Sequence, residues 1–124
     1  MRLMIVDDSY FMRNRIKLLV EELPLEIVAE AANGIEAVEK FREVRPEIVT
    51  MDITMPGMNG LECIKDMMSV DPGIRILVVS GLASKIAAIM AIEYGAKDFL
   101  KKPFTDEQLK KSLFKTAEGL YARH

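Results

Sequence analysis

The chain contains no tryptophan, one cysteine and one histidine in 124 residues. A single cysteine excludes a disulfide-stapled scaffold and fits a reducing compartment. No apolar run approaches the roughly 20 residues of a membrane-spanning helix, and charges follow Met1 too closely for a secretory leader. A cytoplasmic location is expected. There is no surplus of positive charge either: Lys plus Arg number 17 against 19 for Asp plus Glu, net −2. Binding to a phosphate backbone needs such a surplus, so direct contact with nucleic acid is not expected. Repeats, low-complexity tracts and Ser/Gly linkers are absent, which argues for one unit spanning residues 1–124. What is present is apolar: hydrophobic residues make up 50% and charged residues 29%. That excludes a disordered chain, and a chain of this length builds a core without staples.

Short apolar runs alternate with longer segments of helical period. Leu3–Val6 is too short for a helix and is closed by Asp7 and Asp8. From Ser9 to Leu23, apolar residues fall at Phe11, Ile16, Leu19, Val20 and Leu23, the spacing of a helix face, and Pro24 stops it. Ile27–Ala31 reads as a second strand, followed by Asn33-Gly34 and a helix bearing Ile35, Val38 and Phe41. Ile48–Met51 is a third strand, closed by Asp52. The turn formers from Met55 to Gly60 predict a loop. Leu61, Ile64, Met67 and Met68 mark a third helix, ended by Asp71-Pro72-Gly73. Ile76–Val79 is a fourth strand, closed by Ser80-Gly81, and a helix from about Ser84 to Tyr94 ends at Gly95, a C-cap. Asp98–Lys101 is a fifth strand running into Lys102-Pro103. Thr105 and Gln108 form a capping box for the last helix, with Asp106 and Glu107 at its positive end. Five strands alternating with five helices predict an α/β fold, a doubly wound parallel sheet in the flavodoxin-like order 2-1-3-4-5.

Such sheets bind ligands beyond the carboxyl ends of their strands, where the strand order reverses. Asp7, Asp8, Asp52, Ser80 and Lys102 all stand at strand ends and are predicted to converge there. Singly, each has a plain structural explanation. Asp8 or Ser9 could cap the first helix, Asp52 could form a turn, Ser80 could fill a loop, and Lys102 could be a solvated charge. Together, three carboxylates in one cleft repel unless a cation is bound, and oxygen ligands alone select a hard ion, Mg²⁺. Cys63, on the third helix, reads as small core filler.

Asp7-Asp8, Asp52-Ile53-Thr54-Met55-Pro56 with Asn59-Gly60, Ser80-Gly81, and Gly95-Ala96-Lys97-Asp98-Phe99-Leu100-Lys101-Lys102-Pro103-Phe104 resemble the receiver domains of two-component response regulators. The resemblance spans essentially the whole chain, and four motifs in order at four strand ends make it specific. Phe11-Met12-Arg13 and the stretch Met51–Pro56 look most like single-domain chemotaxis regulators, with no effector domain. The resemblance implies that Asp52 accepts a phosphoryl group from a phosphohistidine of a sensor histidine kinase. It implies Mg²⁺ held by Asp7, Asp8, Asp52 and the Thr54 backbone carbonyl, with Lys102 and Ser80 on the phosphoryl oxygens. It also implies a switch pairing Ser80 with Phe99, a cis Lys102–Pro103 bond, and dephosphorylation governed by Thr54 and Leu82.

By the same resemblance the output partner, a flagellar switch or a phosphotransferase, docks on the face of the fourth helix, fifth strand and fifth helix. Lys85, Lys97, Lys101, Lys110 and Lys111 put basic charge near the fourth and fifth helices, which reads either as an ordinary solvated surface or as part of that output face. Such a regulator is a monomer. It is a switch that catalyses its own phosphorylation and dephosphorylation rather than an enzyme acting on a substrate. His124 is a poor internal donor, so the phosphoryl group comes from another protein or from acetyl phosphate. A relay role, passing the group on to a histidine phosphotransferase, fits equally. A small Asp-nucleophile phosphatase of the haloacid dehalogenase type fits worse, because Thr54 stands where its second Asp belongs. Flavodoxin lacks support because Asp7-Asp8-Ser9-Tyr10-Phe11 replaces its phosphate loop.

Overall fold

The computed structural model describes residues 1–54, 59–81 and 85–121. In chain order the elements are β1 (Arg2–Val6), α1 (Tyr10–Val20), β2 (Glu26–Ala31), α2 (Gly34–Val44) and β3 (Ile48–Met51). They continue with α3 (Gly60–Val70), β4 (Arg75–Ser80), α4 (Lys85–Glu93), β5 (Asp98–Lys101) and α5 (Asp106–Tyr121). The five strands form one sheet in the order β2-β1-β3-β4-β5, and every pairing is parallel. This is the predicted flavodoxin-like topology.

Alternation along the strands divides the core in two. Leu3, Ile5, Ile48, Leu77 and Val79 face one side and pack with Ile16, Leu19 and Val20 of α1 and with Leu109, Leu113 and Ala117 of α5. Met4, Val6, Val49, Met51, Ile76 and Val78 face the other side, against Ala37 and Phe41 of α2, Cys63, Ile64 and Met67 of α3, and Ala87 and Ala91 of α4. Both faces are dry, which is why β1, β3 and β4 read as unbroken apolar runs.

Local chemistry sets the helix ends. Ser9, not Asp8, caps α1, its hydroxyl accepting from the Met12 N–H. Asn33 and Asn59 cap α2 and α3. Gly60, expected in the loop, is the first helical residue; Met55 and Met58 lie outside the described residues. α1 ends at Val20, and a turn carries Leu23 into the core margin before Pro24, so the helix is shorter than its apolar spacing implied. The capping box of α5 is reciprocal: Gln108 N–H donates to Thr105 Oγ1 (3.1 Å) and Thr105 N–H to Gln108 Oε1 (2.8 Å). Phe104 before the cap and Leu109 within the first turns share one core cluster, a hydrophobic staple. Gly95 ends α4 at φ +121°, a conformation that disfavours any side chain.

Candidate functional site

The site lies at the carboxyl edge of the sheet, around the switch point between β1 and β3. β1 delivers Asp7 and Asp8, β3 delivers Asp52, β4 ends in Ser80, and β5 runs into Lys102. One carboxylate oxygen from each of Asp7, Asp8 and Asp52 lies within 4.8 Å of the others. Asp7 and Asp52 are 1% and 3% exposed, whereas Asp8 is open to solvent.

Lys102 closes the cluster. Its Nζ donates to Asp7 Oδ2 at 2.8 Å and to Asp52 Oδ2 at 3.2 Å. The reading of Lys102 as a solvated charge therefore does not describe it: its side chain is 19% exposed and is the counter-charge of two buried carboxylates. The other oxygens are also engaged. Asp7 Oδ1 accepts from the Ser9 N–H (2.9 Å). Asp52 Oδ1 accepts from both the N–H (2.9 Å) and the hydroxyl (2.7 Å) of Thr54. Nothing in the sequence signals that hydroxyl contact; there Thr54 enters only through its carbonyl and through dephosphorylation.

Burial pushes the Asp7 carboxyl above its usual range, and Lys102 and the Ser9 N–H pull it back only in part. Lys102 shows the opposite balance. Burial lowers its affinity for the proton, but the bond to Asp7 and the charges of Asp7 and Asp52 outweigh this and raise its pKa. The Lys102 ammonium thus faces two buried carboxylates, and the third, Asp8, lies beside them. The donors are all oxygens, and the chain's one cysteine, Cys63, is buried in the core, so the set fits a hard divalent ion.

Ser80 is buried at the end of β4, and its carbonyl accepts from the Lys102 N–H (2.9 Å). Phe99 is paired in register with Val78 and packs, half-buried, against the core on the α4 side. By strand alternation the Ser80 side chain faces that same side. The Lys102–Pro103 bond is cis. Leu82 lies outside the described residues. Of the five lysines expected near the fourth and fifth helices, Lys85, Lys97, Lys101 and Lys111 are exposed, but Lys110 turns to Glu22 beyond α1 (3.1 Å).

Two arginines on α1 escaped the sequence reading as part of the site. Arg13 Nη1 donates to the Asp7 carbonyl (2.7 Å), and Arg15 Nη2 to the Phe104 carbonyl (2.7 Å). Their only signal in the sequence is position, just after the acidic pair. Among the described residues, no helix is long and apolar enough to cross a membrane.

The family model described as the response regulator receiver domain matches residues 3–114. Chemotaxis protein CheY of Thermotoga maritima is 46% identical over 117 residues, covering 94% of this chain and 98% of that protein. CheY of Bacillus subtilis is 44% identical over 115 residues, covering 93% and 96%. Among solved structures, a chain of the CheX–CheY–BeF3–Mg²⁺ complex from Borrelia burgdorferi superposes with a TM-score of 0.88 at 31% identity, over 91% of this chain and 86% of that one. With its acidic triad and lysine at the strand ends and its match over nearly the whole family model, the chain belongs to the response regulator receiver domain family.

Proposed function

We propose that this chain is a phospho-accepting switch in which Asp52 takes a phosphoryl group from a phosphohistidine of a sensor histidine kinase. The observation that carries the reading is a nearly buried Asp52 at a strand end, 3.2 Å from Lys102 and inside an acidic triad. A carboxylate oxygen of Asp52 attacks phosphorus, the P–N bond of the donor breaks, and its electron pair leaves on the imidazole nitrogen. Phosphoryl transfer of this kind depends on positioning and charge neutralisation more than on covalent assistance.

Thr54 orients the acceptor, since two donors on Oδ1 hold the carboxylate plane. Lys102 is placed to exchange its carboxylate partners for the incoming phosphoryl oxygens. Asp7, Asp8, Asp52 and the Thr54 carbonyl would hold Mg²⁺, which supplies charge neutralisation on those oxygens when bound. Ser80 would donate to the phosphoryl group, and Phe99 would follow it inward by packing alone, having no hydroxyl.

The chemotaxis proteins at 46% and 44% identity support a chemotaxis role in the cytoplasm. A downstream protein would dock on α4, β5 and α5, where Ile86, Ile89 and Ile92, and also Lys97 and Lys101, are exposed. The chain would act as a monomer that hydrolyses its own aspartyl phosphate. Thr54 and Leu82 carry neither amide nor acid to orient the attacking water, so that phosphate should be long-lived. The double variant Thr54→Asn with Leu82→Glu should shorten it, read as phosphate release after the donor is removed.

The test of the central reading is intact mass after incubation with acetyl phosphate and Mg²⁺. One added phosphoryl group, lost in Asp52→Asn, is expected. Equal labelling of that variant would move the acceptor elsewhere.

A further inference from the structure

Arg13 and Arg15 stand two apart on α1, so their side chains leave the helix about 200° apart. Arg13 turns to β2, where its Nε meets Glu30 at 3.3 Å; Lys17, one turn on, meets the same carboxylate at 2.7 Å. Arg15 turns to the opposite flank, against the start of α5. There Nη2 donates to the Phe104 carbonyl at 2.7 Å and lies 3.4 Å from Asp106 Oδ1, and the guanidinium covers the Phe104 ring at 4.4 Å from its centroid.

The carbonyl it takes is one the helix leaves open. α5 begins its own ladder one residue later, with the Leu109 N–H bonded to the Thr105 carbonyl at 3.1 Å. The Phe104 ring is 5% exposed and belongs to the core between α1 and α5. Two residues earlier, Lys102 is bonded through its N–H to the Ser80 carbonyl at 2.9 Å. The segment Lys102–Phe104 is therefore pinned at one end by β4 and at the other by Arg15. From its root in this segment the lysine side chain must cross to Asp7 and Asp52. A four-carbon stem is flexible, so a fixed root is what presents its ammonium at one place.

We infer that Arg15 is a positioning residue for Lys102, holding the β5–α5 connection through the Phe104 carbonyl and ring so that the ammonium meets the phosphoryl group. Arg15 itself need not touch the reacting atoms. The inference rests on the proposed role of Lys102 in phosphoryl transfer.

The test is a double-mutant cycle on the rate of phosphorylation by phosphoramidate at fixed Mg²⁺, with Arg15→Ala, Lys102→Ala and the pair. Arg15→Ala should slow the reaction on the order of tenfold, as a small misplacement of a catalytic group does. In the Lys102→Ala background it should slow it no further, because the group it positions is gone. A purely structural role would lower the melting temperature and multiply the rate by the same factor in both backgrounds, which would overturn the inference. So would a wild-type rate in Arg15→Ala. Should Arg15→Ala fold poorly, Arg15→Met keeps an apolar stem over the ring without the donor, and the same non-additive slowing is expected. Normal phosphorylation of Lys102→Ala would sink both readings; slow Lys102→Ala beside normal Arg15→Ala would sink this one alone.

Discussion

Gly60 stands directly against Ile53: a Cβ on the glycine would fall 2.2 Å from the Ile53 Cα and 2.9 Å from the Asp52 carbonyl oxygen. The first residue of α3 thus backs onto the main chain that carries Asp52, the proposed acceptor. Both obstacles are backbone, and neither can swing aside. Gly60→Ala is expected to destabilise by at least about 2 kcal/mol, measured by urea unfolding. It should also slow labelling of Asp52 under folded conditions. Wild-type stability in this variant would mean that the contact relaxes freely.

Thr50 lies in the middle of β3, fully buried, and its hydroxyl has no hydrogen-bond partner among the described residues. Its neighbours across the sheet are Ile5 and Leu77. Thr50→Val removes the stranded hydroxyl without changing the side-chain outline. A gain of about 1 kcal/mol is expected, seen as a higher urea midpoint at unchanged slope. A loss would show that the hydroxyl is satisfied.

Asp8 is the exposed member of the acidic triad, beside two buried carboxylates. Asp8→Asn removes repulsion without taking a partner from Lys102, so metal-free stability should rise by about 0.5 kcal/mol. Added Mg²⁺ should raise the melting temperature of the wild type, since binding to the folded state stabilises it, and raise that of Asp8→Asn less. Melting temperatures indifferent to Mg²⁺ would remove the triad as a metal site.

The pairing of Lys102 has a pH signature. Its pKa is raised above the ordinary 10.5 because Asp7 and Asp52 outweigh the effect of burial. A raised pKa means stability present in full below about pH 10.5 and lost as the pH climbs through the higher folded-state value. In chelator, the wild type should therefore exceed Lys102→Met in stability at pH 9, and the gap should narrow by pH 12. A gap independent of pH would show that the stem, not the charge, stabilises the site.

Cys63 gives a second, independent check. Burial, then the charges of Asp66 and Glu62, push its thiol up to about 11. At pH 8 its thiolate fraction should be about a hundredfold below that of a thiol at the ordinary value of 9.0. Reaction with a disulfide reagent should be correspondingly slow in the folded chain and fast in urea.

The sequence alone determined the order of elements and the strand-end positions of Asp7, Asp8, Asp52, Ser80 and Lys102. Strands buried on both faces must be apolar throughout, and chain punctuation by Asp, Gly and Pro is local. The Asn33 cap and the Thr105–Gln108 box are local for the same reason: each bond closes within three residues. Tertiary structure decided the contacts that span the chain. Lys102 reaches Asp7 across 95 positions and Arg15 reaches Phe104 across 89, and no periodicity encodes either. It also decided which side of α4 is buried. Apolar residues surround that helix, so its pattern names no inner face. Docking against the sheet turns Ala87 and Ala91 inward and leaves Ile86, Ile89 and Ile92 outside. Small residues admit close approach to the strands, and the large ones are left at the surface.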